Sequence, residues 1–231
     1  MKIHGLNKTT LLDYPGRLAA TIFLGGCNFR CVFCHNKSLV LSPDAEPTIP
    51  EEDIFHFLES RKNILQGICI TGGEPTLWSD LPDFLEKIKR YDLPIKLDTN
   101  GTNPQMIKNL YKQHLIDMVA MDIKSSPDHY HEIIEIPFFQ IQPIEESADF
   151  LLHADIPYEF RTTVVKEFFT EQIFREIGIW LKGASSYYLQ SFKDSDSVMQ
   201  SGLHSPSKQD LLNYQSILLN YIPAVILRGI D

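Results

Sequence analysis

The sequence predicts an α/β fold in which short buried strands alternate with amphipathic helices, most simply an open, partial (β/α)6 barrel. Three observations predict it: six short apolar runs recur along the chain, segments with helical spacing separate them, and polar residues, Gly or Pro bound each run. The runs lie at 18–26, 67–71, 94–100, 117–124, 158–165 and 186–192. A doubly wound flat sheet would show the same alternation, and in both architectures the chemistry is expected at the carboxyl ends of the strands.

The segments between the runs carry signals for helix starts. The sequence Thr48-Ile-Pro-Glu51 is a candidate capping box at the start of the first long helix. Asn103, followed by Pro, and Thr170 are candidate N-caps of two later helices. The polar stretch 193–206 indicates a loop.

The composition indicates one acidic domain. The chain has 231 residues, of which 43% are apolar, enough for a single core over residues 1–231. Its formal net charge of −9 argues against a nucleic-acid partner held by phosphate contacts. The first residues lack the apolar stretch of a signal peptide, and the apolar runs are too short to span a bilayer. We therefore expect a cytoplasmic protein with no nucleic-acid and no membrane partner.

Three of the four cysteines form a cluster directly after the first predicted strand. Cys27, Cys31 and Cys34 lie in GGCNFRCVFCHN with the spacing C-x3-C-x2-C. Without a secretory signal, such a cluster is typical of a metal-binding or catalytic site rather than of a disulfide framework. Cys69, in the apolar run GICIT, is expected to be a small buried hydrophobic residue.

Three thiolates suit an iron–sulfur cluster. In a cluster of four irons, three protein ligands leave one iron open, and a methionine moiety could bind there through its amino and carboxylate groups. The alternatives are a zinc site with His35 as the fourth ligand and a C-x2-C redox pair, which would leave Cys27 unexplained. The cysteine motif favours the cluster and leaves zinc open.

Polar residues also lie at the ends of later predicted strands. Glu74 lies in ITGGEPTL and Asp98 in KLDTNG, where the alternative to a binding role is an ordinary turn or helix cap, which would leave Glu74 unexplained. Asp122 and Lys124, in MDIK, are two residues apart and would share one side of an extended strand, or form only a surface ion pair. Arg161 is a charge inside an apolar strand and therefore needs a partner.

Four sequence blocks in order resemble a known family. The cysteine motif with an aromatic residue, Phe33, before its last Cys resembles the radical SAM superfamily. Together with ITGGEPTL, KLDTNGTNP and VAMDIK, the block DYPGRLAATIFLGGCNFRCVFCHN resembles the anaerobic ribonucleoside-triphosphate reductase activating proteins, which are glycyl-radical-enzyme activases. The matching blocks extend from about residue 8 to residue 192. The resemblance implies a TIM-like partial (β/α)6 barrel of the radical SAM type.

The resemblance also implies cofactors, a reaction and partners. The cofactors would be a [4Fe–4S] cluster and S-adenosylmethionine, whose reductive cleavage gives a radical that takes a hydrogen from a glycine of the partner. That partner would be a glycyl radical enzyme, an anaerobic ribonucleoside-triphosphate reductase, and the electron would come from a donor such as flavodoxin or ferredoxin. The alternatives are a small-molecule radical enzyme, such as one that makes 7-carboxy-7-deazaguanine, and a non-catalytic iron–sulfur or zinc module.

Site residues follow from the same resemblance. Cys27, Cys31 and Cys34 would ligate the cluster. The residues expected to contact S-adenosylmethionine are Phe33, Thr71, Gly72, Gly73, Glu74, Asp98, Thr99, Asn100, Asp122, Lys124, Arg161 and Gln190. Among them, Phe33 would abut the adenine, the Glu74 block would bind the amino group, and Lys124 would lie near the carboxylate.

Overall fold

The structure, a computed structural model, describes residues 1–230. Its contacts divide the chain into two compact units. The first unit contains residues 1–28 and 38–120, and the second contains residues 29–37 and, among the described residues, 121–230. A single domain over residues 1–231 stays a prediction.

The first unit begins with a hairpin and continues with alternating helices and strands. Its strands are β1 (Ile3–Thr10), β2 (Ala19–Leu24), β3 (Gly67–Gly72) and β4 (Ile95–Thr99). Its helices are α1 (Lys37–Leu41), all but its first residue, α2 (Glu51–Ser60), α3 (Leu81–Lys89) and α4 (Pro104–Lys112). β1 pairs antiparallel with β2, whereas β2 to β4 are parallel. The carboxyl ends of β2, β3 and β4 therefore lie at one edge.

β5 (Met118–Asp122) begins in the first unit and ends in the second. The other strands of the second unit are β6 (Tyr158–Val164), β7 (Tyr187–Ser191) and β8 (Val225–Arg228). Its helices are α5 (His131–Ile134), α6 (Gln142–His153), α7 (Glu171–Trp180) and α8 (Lys208–Leu218). β6, β7 and β8 are parallel and neighbour one another in chain order.

The predicted fold class is confirmed. The six apolar runs correspond to β2 through β7, and helices lie between them. Sequence patterns missed the first and last strands for different reasons. In β1 the stretch Asn7, Lys8 and Thr9 is exposed and polar, so its pattern is not that of a buried strand. β8 has only four residues, which is too short to give a periodic signal.

Two of the three predicted helix starts are confirmed. The side chain of Asn103 accepts a hydrogen bond from the Met106 amide at the start of α4, and Thr170 caps α7 in the same way. The capping box at 48–51 is wrong, because α2 begins at Glu51, immediately after Pro50, and has no side-chain cap. Glu51 is thus the first helical residue rather than the third, so the reciprocal hydrogen bonds of a capping box cannot form.

The helices are short and amphipathic. In α3, the side chains of Leu81, Phe84, Leu85 and Ile88 are buried on one face. Within residues 1–230, none of the helices has both the length and the apolar character needed to cross a bilayer.

Candidate functional site

Cys27 lies in the first unit, three residues beyond the end of β2. The side-chain amide of Asn100 donates to its sulfur, with Nδ2 and Sγ 3.9 Å apart. The same Nδ2 donates to Asn28 Oδ1 at 2.9 Å, and Asn100 Oδ1 accepts from Thr102. Asn100, which follows β4, thus orients the sulfur that the motif assigns to the cluster, as second-shell groups do in metal sites.

Gly72 and Gly73 lie against the backbone that leads to Cys27. A Cβ at Gly72 would come 2.2 Å from the carbonyl oxygen of Leu24, and a Cβ at Gly73 would come 1.8 Å from that of Gly26. The amides of Gly73 and Glu74 donate to these same two oxygens, each at 2.8 Å. The space that a Cβ would fill at these two glycines is thus taken by the chain's own backbone, and their contact with a ligand stays a prediction. Their small size therefore fixes the position of the Cys27 loop.

Glu74 is only 1% exposed, and donors from its own chain surround its carboxylate. Oε1 accepts from the Thr76 amide at 3.0 Å, the Thr76 hydroxyl at 2.6 Å and the Thr99 hydroxyl at 2.8 Å. Oε2 accepts from the Asn100 amide at 2.6 Å. Burial raises the pKa of Glu74, and these hydrogen bonds oppose that rise only in part. The carboxylate thus connects the end of β3 to the end of β4.

Asp98 and Lys96 form a buried ion pair on β4. Lys96 Nζ lies 2.5 Å from Asp98 Oδ1, and the two residues are 1% and 8% exposed. Asp98 was expected from the sequence, whereas Lys96 was missed. A charged residue within an apolar run, the signal that singled out Arg161, is also present in PIKLDTN and could have found it.

Cys31 and Cys34 lie at the two ends of one turn in the second unit. The Cys34 amide donates to the Cys31 carbonyl at 2.9 Å, and Phe33 between them is buried. Backbone hydrogen bonds to residues 133–134 and to residues 199–200 hold the loop that contains this turn. The stretch 193–206 is a loop, as predicted, but sequence patterns gave no sign that it braces the cysteines.

Asp122, Lys124 and Arg161 form a charged cluster, in which Asp122 ends β5, Lys124 follows that strand and Arg161 lies in the middle of β6. Lys124 Nζ donates to Asp122 Oδ2 at 3.0 Å, and Arg161 Nε donates to Asp122 Oδ1. The partner that the sequence required for Arg161 is thus Asp122. Burial acts to raise the pKa of Asp122, but the charges of Arg161 and Lys124 outweigh it and hold that pKa well below its usual range.

The same cluster keeps Lys124 charged. Burial acts to lower the pKa of Lys124, and the charges of Asp122 and Cys31 outweigh it, so the pKa lies above its usual value. A carboxylate and an ammonium side by side match the two charged groups of an amino-acid ligand.

Gln190 lies at the end of β7 and lines a cavity of about 320 Å³ in the second unit. The cavity lining is His35, Thr163, Gln190, Ser191, Lys193, Arg228 and Gly229. The guanidinium of Arg228 donates to the buried carboxylate of Glu159, and its Cζ lies 3.6 Å from the centroid of the Tyr188 ring. Arg228 was missed because β8 was missed.

The residues present fit an iron–sulfur cluster, because three cysteine thiols are available for it. His35 Nε2 lies 2.7 Å from the Lys193 carbonyl oxygen, which can only accept, so this nitrogen carries the proton and Nδ1 is the nitrogen that could bind a metal. Among residues 1–230, no three His, Cys, Asp or Glu side chains are gathered in advance around a metal-ion position. The grouping of all three cysteines therefore rests on their spacing, and their thiols suit iron and sulfur.

Comparison with known proteins adds evidence on the family of this chain that is independent of the site geometry. The family model described as "Radical SAM superfamily" matches residues 21–177. MJ1227 of Methanocaldococcus jannaschii, which carries the provisional name of a glycyl-radical enzyme activating enzyme, is 32% identical over 235 residues, or 99% of this chain and 96% of that protein. The pyruvate formate-lyase-activating enzyme of Listeria monocytogenes is 25% identical over 71% of this chain and 68% of its own.

Among solved structures, SuiB of Streptococcus suis bound to S-adenosylmethionine has a TM-score of 0.68 at 14% identity. The match covers 90% of this chain and 52% of that one, so this chain spans about half of SuiB. At this identity the likeness concerns the fold.

Proposed function

The chain belongs to the radical SAM superfamily, and within it we propose that the chain is a glycyl-radical-enzyme activase. Its cofactors are those that the family binds, a [4Fe–4S] cluster and S-adenosylmethionine. When bound, they supply one-electron cleavage of a carbon–sulfur bond and a radical able to take hydrogen from carbon. The target is a glycine of a glycyl radical enzyme, specifically an anaerobic ribonucleoside-triphosphate reductase.

The observation that carries the proposal is the match to MJ1227 over nearly the full length of both proteins. The relation to pyruvate formate-lyase-activating enzyme supports the same reaction class. The choice of a ribonucleotide reductase as target rests on the four sequence blocks alone. A one-electron donor such as flavodoxin or ferredoxin and a cytoplasmic location complete the proposal, with no nucleic-acid or membrane partner.

In this proposal the site residues have distinct tasks. Cys27, Cys31 and Cys34 ligate the cluster, and Asn100 orients the first of them. Glu74 holds the backbone that carries Asn100 and thereby acts on the cluster site indirectly.

The charged cluster has the second task. Lys124 binds the carboxylate of the methionine moiety and Asp122 binds its ammonium group, while Arg161 fixes the position and charge of Asp122. Phe33 and Gln190 border the adenosine.

The test is an anaerobic assay with a candidate partner. The full chain is reconstituted with iron and sulfide, reduced, and mixed with S-adenosylmethionine and an anaerobic ribonucleoside-triphosphate reductase. We expect a glycyl-radical EPR signal on the reductase and formation of methionine and 5′-deoxyadenosine. Cleavage of S-adenosylmethionine with no glycyl signal on this or any other glycyl radical enzyme would refute the activase proposal.

A second candidate, a small-molecule radical SAM enzyme, is favoured by the cavity beside Gln190. Its volume of about 320 Å³ is within the range of small-ligand sites, and Arg228 and Thr163 offer polar anchors. The same assay separates the two candidates, because a small-molecule enzyme would leave every glycyl radical enzyme without a signal.

A further inference from the structure

The carboxyl ends of β6, β7 and β8 carry a row of three polar side chains. Thr163 is the register partner of Gln190, and Gln190 is that of Arg228. All three residues line the cavity of about 320 Å³. Because neighbouring strands lie about 4.8 Å apart, the row spans roughly 10 Å, which is long enough for a small polar group of a ligand.

The chain leaves much of the hydrogen-bonding capacity of this row unused. Within residues 1–230, the Thr163 hydroxyl and the side-chain amide of Gln190 have no hydrogen-bond partner. A guanidinium carries five N–H donors, and two of those of Arg228 donate to Glu159, at 3.3 and 3.0 Å. Three donors of Arg228 therefore remain for a ligand.

The contacts of Arg228 restrict its guanidinium before any ligand binds. Its two terminal nitrogens donate to different oxygens of Glu159, a residue that is 1% exposed. The ring of Tyr188 lies against the guanidinium, with its centroid 3.6 Å from Cζ. A guanidinium whose orientation is already restricted loses less conformational freedom when it binds a ligand.

The chemistry of the row favours a carboxylate as the bound group. The planar fork of a guanidinium matches the two oxygens of a carboxylate, and the Thr163 hydroxyl and the Gln190 amide can donate to the same oxygens. Glu159 offsets the charge of Arg228. A ligand with one negative charge is therefore favoured over a doubly charged phosphate, which the Glu159 carboxylate would repel more strongly.

The row lies close to the charged cluster. Thr163 and Arg161 alternate with Thr162 along β6, so they share one face of the strand and lie roughly 7 Å apart along it. Arg161 donates to Asp122, which the proposed function assigns to the methionine moiety of S-adenosylmethionine. A group bound in the row would thus lie beside that cofactor, where a substrate must lie to lose a hydrogen.

We propose that Thr163, Gln190 and Arg228 bind a carboxylate of the molecule that gives up its hydrogen, with Arg228 as the residue that selects for it. This inference rests on the proposed function and adds to it a chemical group of the substrate. In an activase, the carboxylate belongs to an acidic side chain near the target glycine. In a small-molecule enzyme, it belongs to the substrate itself.

The experiment measures how fast phenylglyoxal, a reagent for guanidinium groups, modifies Arg228 in the reconstituted full chain. The modified peptides are quantified by mass spectrometry. S-adenosylmethionine is present in every sample without a reductant, so that its own carboxylate is common to all of them. The added probes are butyrate, the blocked tripeptide acetyl-Gly-Glu-Gly-amide, inorganic phosphate and chloride, at equal ionic strength.

We expect butyrate or the tripeptide to slow the modification of Arg228 by about threefold or more relative to chloride. Stronger protection by the tripeptide would indicate a polypeptide as the source of the carboxylate, and stronger protection by butyrate a small acid. The neutral tripeptide acetyl-Gly-Gln-Gly-amide should give no protection. Thr163→Val, which removes one donor of the row, should lose at least about half of the protection.

The matched control is Arg175 in the same samples. Arg175 also pairs with a carboxylate, 3.3 Å from Glu171, but this pair lies on the surface of α7 and outside the cavity. Its modification rate should be the same with chloride and with either carboxylate, within about 1.5-fold.

Three outcomes would overturn the inference: equal rates at Arg228 with chloride and both carboxylates, stronger protection by phosphate than by either carboxylate, or full protection in Thr163→Val. Because the measurement needs neither a partner enzyme nor turnover, failure of the activase proposal would not change these rates.

Discussion

Glu74, which is buried, and Asp122, which is half-buried, are both carboxylates at or just beyond the end of a strand, yet their surroundings are opposite. Glu74, in the first unit, receives four hydrogen bonds from amides and hydroxyls, which are all neutral. Asp122, in the second unit, is held by two cations, Lys124 and Arg161. Burial raises the pKa of Glu74, whereas the two cations hold that of Asp122 below its usual range.

The difference separates two kinds of polar residue at a candidate site. A carboxylate whose oxygens are filled by neutral donors of its own chain connects loops and fixes their geometry. A carboxylate among cations forms part of a charged surface that can exchange partners with an amino-acid ligand. Resemblance alone assigns both residues to the cofactor, and the hydrogen bonds distinguish their tasks.

The largest loss of stability is expected from Gly73→Ala, because the new side chain would collide with backbone that Glu74 helps to hold in place. The added Cβ would lie 1.8 Å from the Gly26 carbonyl oxygen, and a backbone atom cannot move aside as a side chain can. We expect a loss of roughly 3 kcal/mol in the free energy of unfolding, measured by urea denaturation, and reduced iron content after reconstitution. Gly5→Ala in β1, whose Cβ would lie 3.2 Å from the Phe23 side chain, is the control and should cost far less.

A smaller effect is expected from Glu74→Gln. The side-chain amide of glutamine would meet the Asn100 N–H, so that two donors would face each other in a buried position. We expect the variant to lose about 1–3 kcal/mol of unfolding free energy. Glu86→Gln, on the exposed face of α3, should stay within about 0.5 kcal/mol of the unmodified chain. Equal losses of unfolding free energy in the two variants would contradict a structural role of Glu74.

The smallest effect, and the sharpest contrast, concerns pH. The raised pKa of Glu74 means that its contribution to stability is fully present below the ordinary value of 4.5 and is lost as the pH rises through the folded-state pKa. The lowered pKa of Asp122 means that its contribution is present above 3.8 and is lost as the pH falls toward the folded-state pKa.

The destabilisation by Glu74→Gln should therefore shrink as the pH rises, and that by Asp122→Asn should shrink as the pH falls below 3.8. Urea denaturation of both variants and the unmodified chain over a pH series measures the two slopes, that is, how the destabilisation by each substitution changes with pH. Slopes of the same sign would mean that the two carboxylates do not differ in the way their surroundings indicate.

Much of the fold could be predicted from the sequence, because β2 to β7 are continuous apolar runs that polar residues, Gly or Pro bound at both ends. β1 and β8 could not, since an exposed polar edge and a four-residue strand give no periodic pattern. The start of α2 at Glu51 was predicted at the wrong residue, because local residue preferences determine the position of a helix start only loosely.

For the candidate site, the residue types and their order in the chain indicated which sequence blocks are involved. They did not indicate which side chains contact one another. The pairing of Arg161 with Asp122 depends on strand register, and the four donors around Glu74 depend on where two loops meet. Lys96 was within reach of the sequence, because a charge in a buried run predicts a buried partner. Arg228 was not, because no pattern marked its strand.

The most direct test of the site is EPR spectroscopy of the reduced, reconstituted chain with each cysteine replaced by alanine. Cys27→Ala, Cys31→Ala and Cys34→Ala should each lose the reduced-cluster signal and its change on addition of S-adenosylmethionine. Cys69→Ala, which alters a fully buried cysteine outside the motif, should keep both. A cluster signal that survives loss of any motif cysteine, or that disappears with Cys69 in a folded protein, would contradict the assignment.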